Sequence, residues 1–158
     1  MKNKKPTIGI SLRVVENTDY NEKRDALSQD WSKFFEKLEI NPLLIPNTIK
    51  NVSEFLEDMQ VQGLFLSGGD NIGDNQDRDV TEQKIIDYCL EKKIPLIGIC
   101  RGMQVINTFF GGKIETLENS KHVGDPHLVS LNKSIAELLH TNELQVNSFH
   151  NNIIKQKN

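Results

Sequence analysis

The chain has 158 residues, 37% of them apolar and 26% charged, enough to bury the core of one domain without cross-links. A net charge of −3 with no basic stripe excludes a general nucleic-acid or polyanion binder. The apolar runs fall far short of the roughly 20 residues of a membrane span, and no apolar segment of signal-peptide length follows the basic MKNKKP, so a cytoplasmic, membrane-free protein is expected.

Thr7–Leu12 reads as a short buried strand, and RVVENTDYNEKRDALS after it as a long polar loop. Trp31, Phe34, Phe35 and Leu38 share one face of a helix capped near Ser28 or Asp30. Pro42–Ile45 is a second strand. Asn51 and Glu54 look like a capping box for a helix with Val52, Phe55, Leu56 and Met59 inward. Gly63–Leu66 is a third strand, broken by Ser67-Gly68-Gly69-Asp70, and an Asp/Asn-rich loop then runs to Arg78. A helix from about Val80 to Glu91 turns Ile85, Ile86, Cys89 and Leu90 inward; Ile94–Ile99 is a fourth strand and Gly102–Phe110 a fourth helix.

Strands alternating with helices of this length predict βαβ units: an α/β fold with a mostly parallel sheet covered by helices on both faces. Ligands of such sheets bind beyond the carboxyl ends of the strands. After Gly112 the pattern changes to short strands, His127–Leu131 and Leu144–Ser148, around a helix Ser134–His140 with Ser134 and Glu137 as its capping box.

Cys100 stands where the fourth strand stops and the fourth helix begins. Gly98-Ile99-Cys100-Arg101-Gly102 has the spacing of a nucleophile elbow, with sulfur in place of oxygen. The N-terminus of the following helix favours a thiolate by about 0.3–1 kcal/mol. It supplies no acid for the leaving group, so a histidine partner is still needed. The alternative, a buried structural thiol, fits Cys89 better, since Cys89 sits on an apolar helix face without such a frame. The two glycines of Ser67-Gly68-Gly69-Asp70 open the same sheet edge, and an N–H there with that of Arg101 would make a two-donor oxyanion hole. His122, His127, His140 and His150 are scattered, so neither a metal nor another cofactor is expected.

PLIGICRGMQ, GGD and VNSFH together resemble the class I glutamine amidotransferase superfamily, and within it the γ-glutamyl hydrolase-like branch, the peptidase C26 type. The resemblance implies a flavodoxin-like fold spanning residues 1–158 as a single domain. It implies Cys100 as the nucleophile that cleaves a γ-glutamyl amide through a glutamyl thioester, with Gly69 and Arg101 as oxyanion donors. Gln104 and the stretch Asn147, Ser148, Phe149 and His150 would grip the glutamyl end. Gln104 as a solvated helix residue and Ser148 as a plain strand end are the alternatives.

This chain reads His150-Asn151-Asn152 where relatives often carry two histidines, so recognition beyond the glutamyl group is expected to differ. It also contains no W-H-P-E segment, which in the family carries the catalytic histidine and glutamate; the only Trp is Trp31. The last strands and that pair are expected beyond Asn158.

Tyr20, Glu22, Arg24 and Asp25 lie in the loop after the first strand, where Arg13 or Arg24 would suit a phosphate. The expected partner is therefore a small γ-glutamyl substrate, with a γ-glutamyl-nucleotide amidate as one candidate and a homodimer left open. The competing readings are a glutaminase subunit delivering ammonia to a synthetase and a non-catalytic γ-glutamyl-binding module.

Overall fold

Ile10 and Phe65 explain the architecture. They are register partners on neighbouring parallel strands, β1 (Thr7–Ser11) and β5 (Gly63–Leu66), and both point to one face of the sheet. Phe35 and Trp31 of α1 (Gln29–Lys37) cover them there. Leu64, Leu66 and Ile45 point the other way, as a period of two requires. They pack with Val52 and Leu56 of α2 (Val52–Asp58), Ile85, Ile86 and Cys89 of α3 (Gln76–Lys92) and Val105 of α4 (Arg101–Phe109). Each such aliphatic side chain contributes about 1.5–3 kcal/mol on full burial. β4 (Asn41–Ile45) flanks β1 on its other side and β6 (Leu96–Gly98) flanks β5, giving a four-stranded parallel sheet in the order β4-β1-β5-β6. Helices lie on both faces, as the alternation predicted.

The structure, a computed structural model, describes residues 4–116, 124–149 and 152–155. Backbone contacts divide the chain into two compact units, Met1–Gly111 with the parallel sheet and Gly112–Asn158. In the second, β8 (His127–Ser130) and β9 (Glu143–Val146) pair antiparallel around α5 (Lys133–Leu139). β7 (Lys113–Thr116) pairs antiparallel with β10 (Asn152–Lys155). No helix among the described residues is long and apolar enough to cross a membrane.

Several sequence expectations are corrected. Residues 13–26 are not a loop but a hairpin, β2 (Arg13–Asn17) with β3 (Glu22–Ala26). Its base is tethered by Asp25, whose carboxylate accepts from the Asn47 amide at 2.9 Å and from Asn47 Nδ2 at 2.6 Å. α3 starts at Gln76, four residues before the expected Val80, because the Asn75 side chain caps it by accepting from the Arg78 amide at 3.1 Å. Leu90 of that helix is exposed rather than inward. Asn132, not Ser134, caps α5 through the Ile135 amide at 3.0 Å. Asn51 caps α2 as expected, the Glu54 amide donating to Asn51 Oδ1 at 3.3 Å, while the reverse bond runs from the Asn51 side chain rather than its backbone, Nδ2 donating to Glu54 Oε2 at 2.6 Å.

Cys89 is buried, and desolvation pushes its thiol up to about 11, whereas Cys100 is exposed. A raised thiol pKa leaves Cys89 protonated below about pH 11, so it is unreactive near neutrality on two counts. Titration with Ellman's reagent at pH 8 is expected to find one thiol per native chain and both in guanidinium chloride. Two rapidly reacting native thiols would mean that the cluster around Cys89 opens.

Candidate active site

β6 ends at Gly98, and two residues later the chain turns through Cys100 into α4. Cys100 adopts φ 55°, ψ −110°, a conformation that costs a non-glycine residue on the order of 1–3 kcal/mol. It is the N-cap of α4, and its side chain makes no capping bond. The crossing is tight. A Cβ on Gly102 would lie 2.1 Å from the Leu66 carbonyl oxygen, and one on Gly98 would lie 2.5 Å from the Gly102 backbone. Only residues without side chains let strand and helix approach so closely at this spacing.

The first amides of α4 are divided unevenly. Gly102 N–H donates to the Ile99 carbonyl at 3.0 Å, and the Met103 and Gln104 amides donate to the Cys100 carbonyl at 3.1 and 3.3 Å. The amide of Arg101, first in the helix, has no carbonyl one turn behind it within the helix. The exit of β5 runs alongside: the Ile99 amide donates to the Leu66 carbonyl at 2.9 Å, and a Cβ on Gly68 would lie 3.3 Å from Cys100 Cβ and 3.8 Å from its sulfur. Gly69 follows at φ +116°, with Arg13 packed against it.

A charged network underlies both segments. Arg78 is fully buried: Nε donates to Glu82 Oε1 at 3.0 Å, Nη1 to Asp70 Oδ2 at 3.1 Å, and Nη2 to the carbonyls of Ser67 and Gly68, each at 3.0 Å. Arg101, also buried, directs Nη1 to Glu82 Oε2 and Nη2 to Asp79 Oδ1. Ser11 Oγ donates to Glu82 Oε1 at 2.8 Å and accepts from the Ser67 amide at 3.0 Å. Burial alone would raise the Asp70 carboxyl, but bonds from the amides of Val14 and of Asp70 itself and from Arg78 hold it below the usual carboxylate range.

The structure brings Cys100, Arg101, Gln104 and the Gly68-Gly69 turn to one end of the sheet. Gln104 is buried rather than solvated, one turn into α4. Arg24 lies on the exposed hairpin, where Glu22 accepts from its Nη2 at 2.6 Å and raises its pKa. Asn147, Ser148 and Phe149 belong to the second unit, just after β9; the Ser148 carbonyl accepts from the Gly124 amide at 2.7 Å. His150 lies outside the described residues. Arg78, Asp79 and Glu82 were not anticipated. The signals available for them were Asn75 as a cap, acids in the next turn, and an Arg–Glu pair spaced i, i+4.

The parallel sheet that carries this strand–cysteine–helix elbow at its carboxyl edge belongs to a fold of the class I glutamine amidotransferase type. Two solved structures share it. A GMP synthase-type protein of Thermoplasma acidophilum superposes with TM-score 0.69 at 24% identity, over 96% of this chain and 68% of that one. A glutamine amidotransferase of Thermotoga maritima gives 0.67 at 13% identity, over 97% and 64%.

The peptidase C26 family pattern matches residues 6–158, and the chain belongs to that family. It is 35% identical over 156 residues to the γ-glutamyl-CDP-amidate hydrolase of Campylobacter jejuni, covering 94% of this chain and 72% of that protein. It spans 48% of the length of a matching protein of Schizosaccharomyces pombe. The chain is thus an enzyme of hydrolase type, a γ-glutamyl amide hydrolase or glutamine amidotransferase-like protein.

Proposed function

We propose that Cys100 is the nucleophile of a γ-glutamyl amide hydrolase. The observation that carries this reading is the elbow itself: an exposed thiol in a strained backbone conformation, ahead of a helix whose first amide is left over. Strain of this kind persists only where surrounding packing enforces it, and the Gly98–Gly102–Leu66 contact does so.

In the proposed reaction the Cys100 thiolate attacks the γ-carbonyl carbon, and the electron pair of the C=O moves onto oxygen. The amides of Gly69 and Arg101 stabilise that oxyanion; one such donor is typically worth about 2.7–4 kcal/mol. As the tetrahedral species collapses, the C–N bond breaks, the leaving nitrogen takes up a proton from the histidine partner that the elbow itself does not supply, and a glutamyl thioester remains on Cys100. Water then attacks the thioester and releases glutamate, and the thiolate is restored. Gln104, buried one turn into α4, holds the glutamyl α-substituents in this scheme.

For the leaving group the reading favours a γ-glutamyl-nucleotide amidate, the substrate class in the name of the Campylobacter relative. Arg24 would meet its phosphate by exchanging partners with Glu22, an exposed pair that holds it weakly.

The test is glutamate release by the full-length protein from glutamine, γ-glutamyl-aminobutyrate and γ-glutamyl-CDP-amidate. The expected result is a kcat/KM for the nucleotide amidate at least tenfold above that for glutamine. Glutamine turning over only after a synthetase is added would replace this reading with a glutaminase subunit. Binding without turnover of any member would replace it with a binding module.

A further inference from the structure

We infer that Arg78 is a positioning residue that aims the Gly69 amide at the oxyanion, and that Glu82 couples it to the elbow. The inference rests on the hydrolase reading above. It begins with the geometry of one peptide unit. A trans peptide carries its C=O and its N–H on opposite sides, and no cis bond occurs among the described residues. The Gly68 carbonyl and the Gly69 amide belong to one such unit. Arg78 Nη2 holds that carbonyl at 3.0 Å, so the Gly69 N–H points away from the guanidinium.

Two successive residues without side chains have little to prevent this peptide from flipping. The same Nη2 holds the preceding carbonyl, that of Ser67, and so fixes the turn at two points. Among the described residues, the other side chain that reaches Gly68 O is the Ser67 hydroxyl, at 3.5 Å, and it accepts in turn from Arg78 at 3.2 Å. The Ser67 amide and the Asp70 carboxylate anchor the two ends of the turn elsewhere, but the Gly68–Gly69 peptide between them is held by this guanidinium.

Glu82 extends the coupling. One of its oxygens accepts from Arg78 and the other from Arg101, whose own amide is the second proposed donor. A single buried carboxylate thus spans the two guanidiniums that anchor the two donor segments. Two donors serve one oxyanion only at a fixed separation, and a bridge between their anchors sets that separation. Arg78 touches no substrate in this scheme; it acts through the Gly69 amide.

Arg78→Lys in the full-length protein tests the inference. An ammonium keeps the charge but lacks the planar fork, so it cannot serve Glu82, Asp70 and two carbonyls together. The expected result is a loss of about 10²–10³-fold in kcat for glutamate release, the effect of losing one oxyanion donor. KM stays within threefold, and so does the rate of Cys100 alkylation by iodoacetamide, a reaction that uses no oxyanion donor. A folded variant with kcat within threefold of the wild type overturns the inference. So does a fall in alkylation that matches the fall in kcat, which would make Arg78 a support of the elbow as a whole.

Wild-type protein that releases no glutamate from any panel member overturns the hydrolase reading and the positioning role with it. Should Arg78→Lys fail to fold, Asp70→Asn gives the decision, because Asp70 lies at the partly exposed end of the network. That variant is expected to lose about tenfold in kcat at unchanged KM, and an unchanged kcat overturns the inference.

Discussion

Cys100→Ala is expected to lower kcat/KM for glutamate release by about 10⁴-fold or more while leaving the protein folded. The magnitude follows from what the other parts do alone: with the nucleophile gone, oriented donors and binding energy still give a residual rate, but no thioester forms. The stability half of the prediction comes from the local structure. The Cys100 side chain is exposed and makes no capping bond, so its sulfur contributes little to the fold. Alanine keeps the same strain at φ 55° because it keeps a Cβ. A thermal midpoint within about 2 °C of the wild type should therefore accompany the loss of activity. Cys100→Gly separates the two effects further: it should be equally inactive but more stable, since glycine relieves that strain. An alanine variant with more than a tenth of the wild-type rate would move the nucleophile elsewhere and dismantle the proposed mechanism.

The elbow was legible in the sequence because its requirements are local. A tight strand-to-helix crossing needs residues without side chains at Gly98 and Gly102, and their spacing brackets Cys100. The sheet was legible because its strands alternate buried faces, as Leu64 and Leu66 against Phe65 show. The β2–β3 hairpin escaped notice because it is mostly exposed on both faces, so no apolar period of two marks it. β10 was not expected for a related reason: its four residues, Asn152–Lys155, hold two adjacent isoleucines and no apolar period of two.

The start of α3 shows the limit most directly. Its first turns bury Arg78, Thr81 and Glu82, so a search for apolar periodicity begins only at Ile85. Charges buried to organise a site look, in a sequence, like a solvated loop. What distinguishes them is the set of partners they meet, and those lie 56 and 71 positions apart for Ser11 with Ser67 and with Glu82.

Those partners make Glu82→Gln the substitution with the largest expected cost to stability. Glu82 is fully buried and accepts three bonds, from Arg78 Nε, Ser11 Oγ and Arg101 Nη1. A carboxamide has the same shape, but one of its two ends is a donor. Three donors converge on the site, so at least one of them would face an N–H₂ in place of an oxygen. A single flip of the amide cannot cure this, since Arg78 and Arg101 approach opposite ends of the group. Removing one member of a buried ionic network costs about 3–5 kcal/mol because the remaining charges stay buried. For a chain of this size that lowers the thermal midpoint by roughly 6–20 °C. Asp79→Asn is the internal comparison: its carboxylate pairs with Arg101 but is about one-fifth exposed, so water replaces part of what is lost and the shift should be less than half as large. Urea unfolding of the two variants against the wild type makes the comparison. A cost below about 1 kcal/mol for Glu82→Gln would mean that water reaches the carboxylate and that the two guanidiniums are held by something other than the bridge between them.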